Sequence, residues 1–148
     1  MNYNIQLMTE DDILDILNIG NLSLKEAWTL SSLKNELKNP LARYLILKVD
    51  NKVIAFAGLW IVANEGQITN IAVHPDYRNN GFGNLLMKSL IDNMKNWNCN
   101  SLTLEVRSSN TIARKLYSKY GFIEEGIRKN YYHCDNGTKE DAIIMWLR

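Results

Sequence analysis

The stretch RNNGFGNLLM, residues 78–87, places two glycines just before the first apolar positions of a helical pattern. A helix that begins there presents backbone N–H groups without intrahelical partners, together with the positive end of its dipole. Gly81 and Gly83 have no Cβ, so a ligand can approach the backbone closely at both positions. The stretch predicts a site for an anionic group, with a glycine turn before an amphipathic helix as the alternative.

Two common phosphate-binding loops do not fit this stretch. A P-loop requires G-x-x-x-x-G-K-[ST], and no Lys-Ser or Lys-Thr pair follows these glycines at that spacing. A dinucleotide-binding fingerprint requires G-x-G-x-x-G, and the sequence GFGNLL, residues 81–86, has no third glycine. A metal site is not expected either, because His133 and Cys134 are adjacent and have no second ligand pair nearby.

The composition predicts a single globular domain over residues 1–148. The chain is 46% hydrophobic and carries 17 basic and 16 acidic side chains, a formal charge of +1. It is long enough for one core, and its near-neutral charge argues against broad electrostatic binding of nucleic acid. No signal-peptide pattern opens the chain, and the longest apolar run, residues 53–63, is too short to span a bilayer. We expect a cytoplasmic protein without membrane contact, whose Cys99 and Cys134 are free thiols.

The first half of the chain predicts strands and two helices. Residues 3–7 alternate as a strand does, and Thr9 with Asp12 predicts the start of a helix that ends near Gly20. A second short helix is predicted over residues 30–37. Three strands are predicted to follow, over residues 44–49, 53–62 and 67–73, the first two joined as a hairpin at residues 50–52.

The second half predicts two more helices and three strands. Apolar residues at helical spacing predict the main helix from Gly83 to about Trp97. A further amphipathic helix is predicted over residues 112–120. Strands are predicted over residues 102–106, 122–127 and 142–147, with Asn136-Gly137 in the last connection. The expected fold is α+β, a mixed sheet with helices packed on it.

The loop and its surroundings resemble a known family. RNNGFG, residues 78–83, satisfies [QR]-x-x-G-x-[GA] shortly after the strand ITNIAVHP, and this arrangement resembles the acyl-coenzyme A loop of the GNAT superfamily of N-acetyltransferases. The stretch LTLEVRSSNTIARKLYSKYGF, residues 102–122, resembles the second half of the GNAT core. LEVRSSN, IRKNYY and EDAIIMWL resemble the RimI-type branch, which acetylates the N-terminal alanine of a small-subunit ribosomal protein. The implied fold is a mixed, mostly antiparallel sheet with two splayed parallel central strands, flanked by about four helices.

The resemblance implies acetyl-CoA as cosubstrate and no metal. In this family acetyl-CoA lies where two parallel strands splay apart, here residues 67–73 and 102–106. Backbone groups left without partners by the splay would pair with the pantetheine arm, and the helix start would hold the pyrophosphate. The matching residues are Ile71, Ala72 and Val73 for the arm, Arg78, Asn79, Asn80, Gly81, Phe82, Gly83 and Asn84 for the pyrophosphate, and Asn110 for a side-chain hydrogen bond to the arm. Relatives carry basic residues around this loop where this chain has asparagines, so we expect a weaker attraction to the phosphates.

The resemblance also assigns an acid and a base. Acetyl transfer to an amine needs a neutral nucleophile, a stabilised oxyanion and a proton for the departing thiolate. Glu105, on the polar face of its strand, matches the family's general base, and Tyr117 matches its general acid. No side chain is an obvious covalent nucleophile, so we expect direct transfer in a ternary complex. Structural roles stay open for each residue: Glu105 as a salt-bridged strand residue, Tyr117 as a core residue and Asn110 as a helix N-cap.

Three aromatic residues match the family's substrate site. Tyr131 and Tyr132 match a pair that helps bind the peptide backbone in N-terminal acetyltransferases, with a packed strand end as the alternative. Trp28, with residues 24–29, corresponds to the loop that covers the peptide. The predicted reaction is acetylation of the N-terminal α-amine of a small-subunit ribosomal protein by a monomeric enzyme that does not contact nucleic acid directly. A GNAT enzyme for a lysine or small amine would not need the tyrosine pair, and a non-catalytic acyl-CoA-binding module would need neither acid nor base.

Overall fold

A seven-stranded sheet forms the centre of the computed structural model, which describes residues 2–23 and 28–148. The elements in chain order are β1 (Tyr3–Leu7), α1 (Ile13–Ser23), α2 (Leu30–Lys38), β2 (Ala42–Val49), β3 (Lys52–Val62), β4 (Glu65–Val73), α3 (Phe82–Asn93), β5 (Ser101–Arg107), α4 (Thr111–Lys119), β6 (Ile123–His133) and β7 (Lys139–Leu147). The strand order is β1-β2-β3-β4-β5-β7-β6, and every neighbouring pair is antiparallel except β4 with β5. This confirms the predicted α+β fold with a mixed, mostly antiparallel sheet and, in the described residues, four α-helices.

The sheet packs a separate apolar core on each face. One core joins the sheet to α3 and α4 and includes Leu86 and Leu90, both with no exposed surface. The other joins it to α1 and α2 and includes Ile16 and Leu33. Burying an aliphatic side chain of this size stabilises the fold by roughly 1.5–3 kcal/mol. The two cores hold the sheet, which has a gap in its middle, between the two pairs of helices.

That gap begins where β4 and β5 stop pairing. They pair in parallel only over residues 65–67 with 101–103, and no pairing between them continues beyond that in the described residues. β4 remains paired with β3 as far as Val73, and β5 remains paired with β7 as far as Arg107. Each strand therefore turns one backbone edge toward the gap along its C-terminal half. This confirms the predicted splay of the two central parallel strands.

Several element ends differ from the sequence-based expectation. α1 continues through Gly20 to Ser23, because Gly20 keeps a helical backbone and does not take the positive φ by which a glycine ends a helix. α3 ends at Asn93 rather than near Trp97, and a turn with left-handed Asn98 (φ 53°) leads into β5. The last hairpin is longer than predicted, since β6 runs to His133 and β7 begins at Lys139. Tyr131 and Tyr132 therefore lie within a strand.

The structure also bears on the cysteines, membranes and metals. Cys99 is buried and Cys134 is partly buried, and both thiols are free, as predicted. Among the residues described, no helix is long and apolar enough to cross a membrane. The same residues contain no group of three or more His, Cys, Asp and Glu side chains placed to hold a metal ion.

Candidate active site

The open edge of β4 presents the backbone of every second residue to the gap. His74 donates its N–H to the carbonyl of Ile54 on β3, with an N···O distance of 2.7 Å. Residues of an antiparallel ladder alternate between bonding to their partner strand and pointing away from it. Ala72, two residues earlier, is therefore bonded to β3, while the backbone groups of Ile71 and Val73 point into the gap. Of the three residues predicted to bind the pantetheine arm, the geometry leaves Ile71 and Val73 available and commits Ala72 to the sheet.

The carbonyl of Val73 is held from two sides at the edge of the gap. It accepts a hydrogen bond from Ser23 Oγ at 3.2 Å and one from Arg78 Nε at 3.2 Å. Neither donor belongs to β3, as expected for a carbonyl that points away from that strand. Arg78 thereby ties the glycine loop to the end of β4, while the N–H of Val73 and both backbone groups of Ile71 face the gap.

The glycine loop enters α3 through a left-handed backbone. Asn79 (φ 63°) and Gly81 (φ 79°) both take this conformation, and Gly81 is the N-cap of the helix. A Cβ at Gly81 would meet no atom within 4 Å, so the space beside it is open. Asn80 Nδ2 donates to the carbonyls of Tyr77 (3.1 Å) and Arg78 (3.0 Å), which holds the turn together. The N–H groups at the start of α3 are directed to the open side of the loop.

The first turn of α3 is held by packing of Phe82 in the core and by contacts with α4. Phe82 is 6% exposed and packs in the core, so only its backbone can reach a ligand. A Cβ at Gly83 would approach Leu116 of α4 at 4.0 Å. Asn84 Oδ1 accepts hydrogen bonds from Tyr120 Oη (3.2 Å) and Lys119 Nζ (3.4 Å). Lys119 therefore supplies a positive charge beside the loop, which the asparagines in the loop sequence do not reveal.

Glu105 lies on β5 beside the gap, with its side chain 29% exposed. The apolar residues of β5 alternate with it and pack toward α3, so the carboxylate is on the other face of the sheet. Its Oε1 accepts a hydrogen bond from Arg128 Nε of β6 at 3.1 Å. Arg107, two residues further along β5, pairs instead with Glu140 at 2.9 Å.

A bulge in β6 places the two tyrosines near this carboxylate. Arg128 pairs with Ala142 and Tyr132 with Glu140, so two more residues lie between the pairs on β6 than on β7. Asn130, inside the bulge, has φ 55°, and its N–H donates to Asp141 Oδ1 at 2.9 Å. Bulges of this kind re-aim side chains at functional edges of sheets.

The tyrosine rings contact each other and two arginines. Tyr131 and Tyr132 meet edge to face, with ring centres 5.0 Å apart. The guanidinium of Arg107 lies 4.4 Å from the ring centre of Tyr132, and that of Arg128 lies 5.9 Å from the ring centre of Tyr131. Burial and then the negative charge of Glu105 raise the pKa of Tyr132 to about 12. Tyr132 and Glu105 are therefore close enough to interact electrostatically.

Tyr117 approaches the same region from α4. Its ring packs against Phe122 with ring centres 5.8 Å apart, and burial raises the pKa of Tyr117 to about 12. Tyr117 also contributes to the electrostatic surroundings of Tyr132, as Glu105 and Arg107 do. The phenol of Tyr117 keeps its proton at neutral pH.

Asn110 has the N-cap role that the sequence also allowed, and Trp28 packs against aromatic neighbours. Asn110 is the N-cap of α4, and its Oδ1 accepts from the N–H of Ala113 at 3.1 Å. Trp28 packs against Tyr44 and Phe56, with ring centres 5.7 and 5.5 Å apart. Residues 24–27, the rest of the predicted peptide-covering loop, lie outside the described residues. Contact of Asn110 with acetyl-CoA and of Trp28 with a peptide stay predictions.

Glu140 is a site residue that sequence reasoning missed. Its Oε1 accepts from Arg107 at 2.9 Å, and its Oε2 accepts from the N–H of Ser109 at 3.2 Å. Hydrogen bonds from Ser109 and Arg107 lower the pKa of Glu140 to about 2. Glu140 thereby ties β7 to the loop that begins α4. Arg128 was missed for the same reason: both contacts cross between strands whose register the sequence does not show.

Comparison with known proteins agrees with this geometry. The model of the acetyltransferase (GNAT) family matches residues 11–122, and the chain belongs to this family. Among its relatives, a Bacillus subtilis (strain 168) protein provisionally named a ribosomal protein bS18 alanine N-acetyltransferase is 42% identical over 97% of this chain and 93% of its own length. The Haemophilus influenzae enzyme of that name is 45% identical over 80% of each chain. The crystal structure of the Escherichia coli ribosomal-protein-S18-alanine N-acetyltransferase superposes with a TM-score of 0.92 at 34% identity, covering 99% of this chain and 93% of that one.

Proposed function

We propose that this chain transfers the acetyl group of acetyl-CoA to the N-terminal α-amine, with alanine first, of a small-subunit ribosomal protein. The observation that carries the proposal is the contact of Arg128 with both Glu105 and the ring of Tyr131, which joins the proposed base on β5 to the tyrosine pair on β6. The relatives named as acting on the alanine of ribosomal protein bS18 support the substrate. The tyrosine pair beside Glu105 supports a peptide in preference to a small amine.

The gap offers what acetyl-CoA requires. Acetyl-CoA supplies an activated acetyl group, a pantetheine arm with amide groups and an anionic pyrophosphate. The inward backbone groups of Ile71 would bond to the arm as a neighbouring strand would, and the N–H of Val73 would face the thioester at the end of the arm. The start of α3, with open space at Gly81 and Lys119 nearby, would hold the pyrophosphate. Asn79, Asn80, Gly83 and Asn84 would shape this cradle, and Arg78 would brace it against β4.

Glu105 would accept the proton that the substrate amine loses. Arg128 occupies Oε1, so Oε2 is the oxygen proposed to face the amine directly or through water. The α-amine has a pKa of about 7.7–8.0, so on the order of a tenth to a third of it is neutral near physiological pH, against about a thousandth of a lysine side chain, and one carboxylate suffices. We place the oxyanion near the N–H of Val73, which points into the gap.

Tyr117 would donate the proton that the departing thiolate takes up. Its pKa of about 12 means that the phenol is fully protonated at neutral pH. Burial of the phenol also limits proton exchange between Tyr117 and bulk water. Transfer in one ternary complex agrees with the cysteines, because Cys99 is buried and Cys134 lies beyond β6.

The proposal is tested by coenzyme A release with four short peptides. Three carry free N-terminal Ala, Ser or Met, and the fourth carries an acetyl-blocked Ala. Turnover is expected with free Ala and none with blocked Ala, because the reactive group is the α-amine. Turnover of spermidine or free lysine with every peptide inert would leave the family membership in place and contradict the proposed substrate.

The tyrosine pair has a matched control within the same sheet. Tyr131 and Tyr3 are exposed to nearly the same degree, 51% and 52%, but Tyr3 lies on the far edge strand β1. Tyr131→Ala is expected to raise KM for the Ala peptide while Tyr3→Ala leaves it unchanged. An unchanged KM in both variants would count against peptide binding by this pair.

A further inference from the structure

Arg128 is the ion-pair partner of the proposed base. Its Nε donates to Oε1 of Glu105 at 3.1 Å, and its side chain is 56% exposed against 29% for the carboxylate. The guanidinium also lies 5.9 Å from the ring centre of Tyr131. A positive charge is thus fixed beside Glu105, on the same strand as the proposed peptide-binding tyrosines.

The other ionisable groups of this region are neutral or balanced by another partner. Arg107 of β5 pairs with Glu140 of β7 at 2.9 Å. Tyr117 of α4 and Tyr132 of β6 have pKa values of about 12, so both are uncharged at neutral pH. Tyr131, which meets Tyr132 edge to face, adds a further phenol. Arg128 differs from these groups because its ion-pair partner is the proposed base itself.

The two classes of amine substrate differ in the fraction that is neutral near physiological pH. An α-amine has a pKa of about 7.7–8.0, whereas a lysine side chain has one of about 10.4 and is almost wholly cationic at neutral pH. A cationic amine would need Glu105 as its counter-ion and would meet the positive charge of Arg128 there. A positive charge beside a binding site disfavours a cationic ligand more strongly than a neutral one. The neutral fraction of an α-amine, on the order of a tenth to a third near physiological pH, escapes most of this repulsion.

We propose that Arg128 determines amine specificity, occupying Glu105 so that lysine side chains and polyamines are disfavoured and neutral protein α-amines are admitted. This inference rests on the proposed function, because it takes Glu105 as the base. It adds a residue that selects the substrate class by charge, in addition to the tyrosine pair that contacts the peptide.

The test compares kcat/KM for two peptides in each enzyme form. One peptide has a free N-terminal Ala and no lysine, and the other has a blocked N-terminus and a single lysine. In Arg128→Gln the ratio of lysine to α-amine activity is expected to rise about tenfold, since a unit charge beside the amine is removed. Arg128→Lys keeps the charge and is expected to keep the wild-type ratio.

Arg148 provides the matched control. It is 57% exposed and pairs with Glu125, another carboxylate of β6, so Arg148→Gln removes an equivalent surface ion pair away from the site. The ratio is expected to stay at its wild-type value in this variant. Thermal unfolding of all three variants shows that each is folded when assayed.

An unchanged ratio in Arg128→Gln, or an equal rise in Arg128→Lys or Arg148→Gln, would overturn the inference. The wild-type enzyme separates this result from the proposed function. A wild type that acetylates the lysine peptide and not the Ala peptide contradicts the proposed function, whatever the variants do. A wild type that prefers the Ala peptide, with a ratio that Arg128→Gln does not change, contradicts the inference alone.

Discussion

Glu105 and Tyr117 illustrate how neighbours decide what a single side chain can do. Glu105 alternates with apolar residues on β5, a pattern equally typical of a surface residue, and its place beside the gap and Tyr132 distinguishes it. Tyr117 belongs to the apolar face of α4 and is a core residue by its contacts with Phe122. Burial does not exclude catalysis here, because the raised pKa keeps the proton that the proposed acid must donate.

Tyr117→Phe removes that proton and little else. The ring packing is retained, so we expect kcat to fall about 10²-fold or more while the dissociation constant for coenzyme A is unchanged. Because the pKa of Tyr117 is about 12, the wild-type rate should show no alkaline decline from this group until the pH approaches that value. Steady-state kinetics against pH for both forms provide the measurement. A kcat in the variant equal to that of the wild type would remove Tyr117 from the mechanism.

At the scale of elements, the glycine loop depends on backbone conformation more than on side chains. Gly81 has φ 79° with open space around it, so a substitution there changes strain without causing a clash. Two hydrogen bonds from Asn80 and one from Arg78 hold the loop in position. The loop is therefore preorganised to receive an anion with its backbone groups.

Gly81→Ala is expected to cost about 1–2 kcal/mol of unfolding free energy from left-handed strain and to raise KM for acetyl-CoA. Gly137 provides a control, because it has φ 80°, equally open surroundings and a place in the β6–β7 turn. Gly137→Ala should lose similar stability and leave KM for acetyl-CoA unchanged. Urea unfolding and initial-rate kinetics measure the two effects. An equal rise in KM for both variants would show that the effect is general strain.

Glu140 connects β7 to the loop that starts α4, and its effect should depend on pH. Its carboxylate has a pKa of about 2 in the folded chain, below its ordinary value, so ionisation stabilises the native state. This stabilisation is present above the ordinary pKa of about 4.5 and is lost as the pH falls from there toward 2. Glu140→Gln should therefore be less stable than the wild type at neutral pH, and the difference should shrink through that acid window. Urea unfolding at several pH values measures it, and a difference that is independent of pH would contradict this role.

At the scale of the whole molecule, local patterns of apolar residues and turn signals were enough to predict every strand of the sheet. The splay of β4 and β5 followed from resemblance, and the structure confirms it. The bulge at Asn130 was not predictable, because it depends on how β6 pairs with β7, and local sequence patterns do not show the register of two strands. The contacts of Glu140 and Arg128 were missed for that reason. The predicted end of α1 at Gly20 was wrong, because burial of the helix outweighed a local helix-ending signal.

The central claim is that Glu105 serves as the base for acetyl transfer to an N-terminal amine. The most direct measurement is the rate of product formation from a free-Ala peptide by wild type and Glu105→Gln, with the acetylated nitrogen located by tandem mass spectrometry. We predict acetylation at the α-amine and a kcat lowered by about 10²–10⁴-fold in the variant, with the affinity for coenzyme A retained. Acetylation at a lysine, or a variant whose kcat equals that of the wild type, would contradict the account.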